Sequence, residues 1–441
     1  MPDEVDNEEK KQDLIDGTTT SEVPSVEPEG ILAEEIVPPE ATSAPDDAKP
    51  TEPTSDVNDL DAEEVEEDGT DGPEDGDKTD QTNSAPEQAS KAKESKSVPI
   101  VVFVNKKSGG QKGERIFEEF LKELPKEHVY SLTEGGLDPG IEFCYSHETV
   151  LVNGNPEKAR IIVAGGDGTI GWVVSGIDKH EYPDKSLTPL AHLPLGTGND
   201  MARSTGWGGG YDGGATKQVI SQVRSAKPMR LDRWRMHVQG KNGTVDGEKK
   251  DLMIYNYFSI GEDAHIAYVF HHMREKNPKK FTSRTRNKYH YVVASLRSSF
   301  AGNPSLAKTT KVTADDESLR FANSVKTIVG LNIQSYMAGS DIWGTQHAYS
   351  PTCCCLHPAS DLPAGSMGDG KIDLISMSGG VKQGLVKSFN CTGRRMEQAR
   401  TVVFDCEGPT YVQADGEPWM VDGPFKMTID TAEPAFMLVK T

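Results

Sequence analysis

The first 97 residues contain no Phe, Trp, Tyr, Cys or His, and they carry 31 Asp and Glu against 7 Lys and Arg, a net charge of −24. A segment with so little to bury does not recover its chain entropy by folding, so 1–97 reads as a disordered acidic tail. Residues 98–441 hold 38 acidic and 40 basic side chains, so the formal −22 of the whole chain belongs to the tail. No apolar run is long enough to span a bilayer, and no basic stretch followed by an apolar core opens the chain. This predicts a cytoplasmic protein whose membrane contact is peripheral. The six cysteines include no Cys-x-x-Cys pair and no zinc-like spacing, and even Cys353-Cys354-Cys355 reads as small buried residues of a reducing compartment. The acidic stretch 56–80 fails as a calcium loop, because the register from Asp71 puts Pro73 at a ligand position and lacks the closing Glu. A Gly-x-x-x-x-Gly-Lys-Ser/Thr loop is also absent, which excludes a nucleotide held in the P-loop manner.

From residue 98 the texture changes to strands alternating with helical patterns, which predicts βαβ units and a parallel sheet. The apolar segment 100–104 precedes Asn105-Lys106-Lys107-Ser108-Gly109-Gly110, and Ile116, Phe117, Phe120, Leu121 and Leu124 then follow helical spacing. The buried run 161–165 precedes Gly166-Asp167-Gly168-Thr169, and 190–195 precedes Gly196-Thr197-Gly198-Asn199-Asp200. All three polar loops fall at the carboxyl ends of strands, where ligands of parallel sheets bind. After residue 231 the runs 252–260, 325–333, 371–377 and 426–429 predict a second, mainly β domain. A helical basic insert interrupts it. There Ile266, Val269, Phe270 and Met273 share a face, Pro278 ends the first helix, and 271–300 hold eight Lys and Arg against one Glu.

Glycines at Gly165, Gly166 and Gly168 admit close backbone approach by a ligand, and a turn that opens a helix offers free N–H groups to an anion. Asp167 at the tip would repel a bare phosphate, so its presence argues for a magnesium nucleotide. Gly166-x-Gly168-x-x-Gly171 also fits the dinucleotide fingerprint, but the acidic tip and the lack of a second strand ending in a carboxylate count against it. In the third loop Thr197 and Asn199 suit phosphate or base, and Asp200 adds a second carboxylate; a helix capped by Asn or Asp is the bland alternative. Asp415 and Glu417 stand at i and i+2, on one face if the strand stays extended, although Asp-Gly is commonly a hairpin turn. Asp369 and Asp373 sit among glycines in a pattern suited to a hard cation, or to a turn before a strand.

Taken together, Gly-Gly-Asp-Gly-Thr at 165–169, Leu-Pro-Leu-Gly-Thr-Gly-Asn-Asp-Met-Ala-Arg at 193–203 and Trp-Gly-Gly-Gly-Tyr at 207–211 resemble the catalytic domain of eukaryotic diacylglycerol kinases. The similarity continues through Leu231-Asp232-Arg233-Trp234 and Asn256-Tyr257-Phe258-Ser259-Ile260-Gly261, and through Phe270-His271-x-x-Arg274-Glu275 and Ser283-Arg284-x-x-Asn287-Lys288 of the accessory domain. The resemblance implies a Rossmann-like three-layer α/β domain over 98–230, followed by a β-sandwich with a helical insert over 231–441, whose C-terminal end is free to return to the first domain. It implies ATP-dependent phosphorylation of diacylglycerol with Mg2+. Asn105, Ser108, Gly109, the 165–169 loop and 196–200 would line the nucleotide, and Asp167 would hold magnesium directly or through water. Asp369 and Asp373 would form a structural magnesium site, and Asp415 and Glu417 would supply the base, Asp415 being preferred although spacing does not decide. A sphingosine, ceramide or NAD kinase shares the Gly-Asp-Gly loop, and a non-catalytic scaffold acting through the acidic tail is the alternative of another class.

Two departures stand out. Lys106 replaces the usual proline of the first loop, which predicts a less rigid loop. No cysteine- and histidine-rich zinc module precedes the catalytic domain, so contact with an anionic membrane surface is expected from the basic insert 271–300.

Overall fold

The computed structural model describes residues 97–110, 112–211, 213–240, 251–277, 290, 293–294, 305–344, 362–378 and 393–440. These residues all belong to one unit, Ser90–Thr441. The acidic tail up to residue 96, Cys353–355 and most of the basic insert lie outside the described residues.

The chain opens with β1 (Ile100–Val104), α1 (Lys112–Glu123), β2 (Val129–Ser131) and α2 (Leu137–Ser146). A small hairpin, β3 (Val150–Val152) and β4 (Asn155–Glu157), leads to β5 (Arg160–Gly165), α3 (Asp167–Lys179), β6 (Leu190–Pro194), α4 (Asp200–Ser204) and α5 (Thr216–Ser225). Strands β2, β1, β5 and β6 lie side by side and parallel. Every residue of β1, β5 and β6 is buried, as a sheet covered on both faces requires. Alternate side chains divide between two cores. Val101, Phe103, Ile161 and Val163 meet Ile141 of α2 and Ile170, Val173 and Ile177 of α3. Ile100, Val102, Ile162 and Ala164 meet Ile116 and Phe120 of α1 and Val219 and Val223 of α5. The helices thus form one layer on each side of the strands.

The second half contributes β7 (Lys227–Gly240), β8 (Asp251–Ile254), β9 (Tyr257–Gly261), α6 (Glu262–Lys276), β10 (Thr310–Ala314), β11 (Glu317–Leu319), β12 (Thr327–Leu331) and β13 (Ile372–Met377). It ends with β14 (Arg394–Ala399), β15 (Thr401–Cys406), β16 (Thr410–Ala414), β17 (Glu417–Val421) and β18 (Phe425–Val439). An antiparallel sheet of six strands runs β14-β13-β12-β9-β16-β17. Its partner is not a separate sheet, as two successive domains would imply. Strands β7, β8, β10, β11, β15 and β18 extend the parallel strands into one sheet of ten, because Met437 of β18 pairs with Leu190 of β6. The boundary read at 230/231 falls inside β7, a single strand of fourteen residues. Trp234, Met236, Phe258, Ile328, Phe404, Phe425 and Met427 fill the space between this half of the large sheet and the smaller one.

The run 252–260, expected as one strand, breaks at Tyr255-Asn256, and its halves enter different sheets. Strand β18, expected over 426–429, is fifteen residues long and carries Pro434 at a register shift between Ala432 and Ala435, where a missing N–H costs no ladder bond. Helix α6 ends at Lys276, before Pro278.

One buried ion pair fastens α5 beside β5. Arg160, 2% exposed, donates to both carboxylate oxygens of Glu157 (2.7 and 2.8 Å) and to the carbonyls of Val223, Arg224 and Ala226 at the end of α5. A cation there also meets the negative end of the helix dipole. Arg160→Met leaves the Glu157 charge buried alone and is expected to lower unfolding free energy in urea by about 3–5 kcal/mol. Adding Glu157→Gln should recover a large part of that loss, and a loss under about 1 kcal/mol for the single variant would contradict this reading.

Candidate active site

Three loops leave the carboxyl ends of adjacent parallel strands: 105–110 after β1, 166–169 after β5 and 195–200 after β6. Backbone bonds stitch them together, with the Asn105 N–H donating to Ala164 O (3.0 Å) and the Leu195 N–H to Gly165 O (2.8 Å). A Cβ at Gly196 would stand 2.8 Å from Gly166 Cα, and one at Gly109 (φ +64°) 2.8 Å from Leu195 O, so the loops meet only because these positions lack side chains. Gly168, by contrast, faces open space beside the start of α3. An unobstructed glycine at a helix N-terminus suits phosphate oxygens.

Asp167 has a second task. Its Oδ2 accepts the Asp200 N–H and its Oδ1 the Met201 N–H, both at 3.0 Å, so it caps α4 from another loop while remaining 20% exposed. Asp200 is buried and in turn accepts from the Ser335 hydroxyl (2.5 Å), the Ala338 N–H (2.9 Å) and the Gly339 N–H (3.1 Å). Met337, Ala338 and Gly339 all have positive φ, which turns successive N–H groups toward that one carboxylate. Asn199, fully buried at φ +53°, donates to Gly196 O and Gly209 O. Thr169 packs where a Gly165 side chain would be. The side chains of Asn199 and Thr169 and the carboxylate of Asp200 are thus all turned inward. Asn105, Ser108 and Gly109 remain half-buried, and Thr197 is exposed. Lys106, in the place of the proline, pairs with Glu134 (2.8 Å) and Glu114 (3.3 Å) and lies over the Phe117 ring.

Asp415 and Glu417 do not share a strand face. Asp415-Gly416 is the two-residue turn between β16 and β17, with φ of +49° and +88°, so the hairpin alternative holds. The Asp415 carboxylate accepts the N–H groups of Tyr255 (2.9 Å), Asn256 (2.7 Å) and Tyr257 (3.1 Å), which explains why 252–260 breaks there. Glu417 begins β17 with its side chain 77% exposed, 4.0 Å from His271 of α6. Burial pushes the carboxyls of Asp200 and Asp415 up to about 6 despite their hydrogen bonds, and the neighbouring charge of Asp167 adds to both shifts.

Asp373 of β13 is buried, bonded to Gln398 Nε2 (2.7 Å), and raised to about 7, first by burial and further by Asp369. Asp369 is exposed and accepts the Lys371 N–H. Asp232, which accepts the Gly370 N–H, joins them as a third carboxylate that motif spacing did not mark. Among the described residues no three His, Cys, Asp or Glu side chains converge as a metal-holding group. Asp167, and Asp369 with Asp373, offer too few oxygen donors for an all-protein cation cage.

The diacylglycerol kinase catalytic domain family matches residues 99–231, and the diacylglycerol kinase accessory domain family matches 253–418. The chain belongs to the diacylglycerol kinase family. The probable diacylglycerol kinase 3 of Caenorhabditis elegans is 36% identical over 358 residues, covering 77% of this chain and 44% of that protein. Human diacylglycerol kinase theta is 34% identical over 352 residues, 78% of this chain and 35% of that protein. The chain thus spans less than half the length of these curated relatives. A solved diacylglycerol kinase from Bacillus anthracis str. Sterne aligns at 14% identity with a TM-score of 0.43, covering 77% of this chain and 96% of that one.

Beyond the family motifs, the fold brings in residues that spacing did not signal. His192 of β6 is fully buried, donates its Nε2–H to Gly165 O (3.1 Å), and stands with Nδ1 3.9 Å from Asp167 Oδ1. Burial holds it below the usual histidine range, partly offset by Asp167, so it is neutral. Asn332, just after β12, donates to Asp232 O and Tyr255 O and accepts from Trp234 Nε1, joining β7 of the large sheet to the end of β12 of the smaller one at one buried side chain.

The raised carboxyls carry a pH signature. Because the folded chain binds their protons more tightly than the unfolded chain does, their stabilisation is full below the ordinary value of 3.8 and is lost as pH rises through about 6 for Asp200 and Asp415 and about 7 for Asp373. In EDTA, the difference in unfolding free energy between wild type and Asp373→Asn should therefore shrink as pH rises from about 4 to about 8, and added Mg2+ should restore it at the upper end. A difference that grows with pH in EDTA would contradict the assignment.

Proposed function

We propose that this chain transfers the γ-phosphoryl group of ATP to the primary hydroxyl of 1,2-diacylglycerol, giving phosphatidic acid and ADP. The observation that carries the reading is the meeting of the 165–169 and 195–200 loops around Asp167, within a chain that matches both the catalytic and the accessory domain of the family. Nucleotide phosphates would lie on the glycine backbone of 166–168 and 196–198, next to the start of α3. Asp167, with an exposed part of its carboxylate facing that loop, would hold Mg2+ through one oxygen or a water. Bound there, magnesium neutralises phosphate charge and orients the γ-phosphoryl group.

In the transfer, the lipid oxygen forms a bond to the γ-phosphorus as the bond from that phosphorus to the β,γ-bridging oxygen breaks, and the hydroxyl proton passes to a carboxylate. Of the two candidates, Asp415 already accepts three backbone N–H groups, whereas Glu417 projects from the strand that this anchored turn begins. Glu417 is therefore assigned as the base and Asp415 as the residue that positions it, in place of the expectation that Asp415 is the base. Association with an anionic membrane is assigned to the basic insert 271–300, of which 271–277, 290 and 293–294 are described. No helix of the described residues is long and apolar enough to cross a membrane.

Protein incubated with Mg·ATP and diacylglycerol in mixed micelles should yield phosphatidic acid, and no product above that of Asp167→Ala would refute the activity. Glu417→Gln should lower kcat by about 10²-fold or more without moving the melting temperature. Asp415→Asn should lower both kcat and the melting temperature. The reverse pattern would return the base to Asp415.

A further inference from the structure

Of the five tryptophans, Trp234, Trp343 and Trp419 are buried, and Trp207 is partly buried with its indole N–H donating to Leu438 O. Trp172 alone is exposed, at 42%. It lies in α3, whose core side is already supplied by Ile170, Val173, Val174 and Ile177, so the helix does not need it for packing.

Its position on the helix is informative. Trp172 follows Gly168 by four residues and so stands on the same face, one turn from the loop that carries Asp167. The adjoining positions of that face turn toward the sandwich. A Cβ at Gly171 would lie 3.2 Å from the Tyr255 ring, and Ser175 Oγ is 3.4 Å from Tyr255 Oη. The Tyr255 N–H in turn donates to Asp415. Trp172 therefore stands one turn from the Asp167 loop, on the helix whose neighbouring positions pack against Tyr255, the residue whose N–H anchors the Asp415 turn.

We infer that Trp172 is a membrane-contact residue that seats the mouth of the cleft on the lipid surface holding the acceptor. The inference rests on the diacylglycerol reading above. Whatever covers Trp172 also covers the entrance one helical turn away. A protein partner seated there would close the entrance to the acceptor, whereas a bilayer delivers it. An indole, apolar with one N–H donor, settles at the headgroup level, which is where the reacting hydroxyl of a diacylglycerol lies.

The test uses the full chain with vesicles of phosphatidylcholine, phosphatidylserine and diacylglycerol, the phosphatidylcholine chains being brominated near the headgroup. Co-sedimenting wild-type protein should lose tryptophan fluorescence, and Trp172→Phe should not. In parallel, the ratio of kcat/KM on vesicle-held substrate to that on a monomeric short-chain diacylglycerol should fall about tenfold in Trp172→Ala. Equal quenching in Trp172→Phe, wild type that co-sediments unquenched, or wild type that does not bind the vesicles would each overturn the contact. Quenching of Trp172 without phosphorylation of either substrate would instead refute the diacylglycerol activity and leave the contact standing.

Discussion

Three carboxylates that accept backbone N–H groups hold this cleft together. Asp167 takes the first two N–H groups of α4, Asp200 takes those of Ala338 and Gly339, and Asp415 takes those of Tyr255, Asn256 and Tyr257. Each bond joins segments distant in sequence, and each places a charged acceptor where backbone donors would otherwise be orphaned. Burial makes the arrangement costly, as the raised carboxyls of Asp200 and Asp415 record. The compensation is geometric. Loops that would otherwise be independent turns become parts of one frame.

That frame explains how a chain divided between parallel and antiparallel strands presents a single site. The large sheet is continuous from β2 to β11 because β18 returns to β6, so the phosphate loops and half of the sandwich share one rigid support. The 335–339 turn and the 255–257 bend reach the edge of that support from the second sheet, and Asn332 ties the two at Asp232 and Tyr255. Asp167 stands where these attachments meet. Its carboxylate is oriented before any ligand arrives, which is the condition for electrostatic work on a phosphoryl group.

Local signals were enough for the parallel half. The buried apolar runs at 100–104, 161–165 and 190–195, each followed by glycines and polar residues, identified β1, β5, β6 and the loops that follow them. What stayed illegible depends on partners far along the chain. Nothing near Tyr255 announces a break, because the acceptor that bends the chain is 160 residues away at Asp415. The strand expected over 426–429 is only a part of β18, which continues past Pro434 through a register shift. Asn199 and Asp200 carry the chemistry of ligand-binding residues, but Asn199 is turned to the carbonyls of Gly196 and Gly209 close by, and Asp200 to the 335–339 turn far along the chain. Asp415-Gly416, by contrast, was legible as a hairpin turn, and that turn separates Asp415 from Glu417.

Amide hydrogen exchange on the intact chain tests the central claim directly. The account predicts that the N–H groups of Asp200, Met201, Tyr255, Asn256, Tyr257, Ala338 and Gly339 exchange as slowly as those of the core strands β5 and β9, and that Asp415→Asn speeds exchange at 255–257 well beyond any change at 200–201. Exchange of these amides at the rate of exposed loops in the wild type would contradict it.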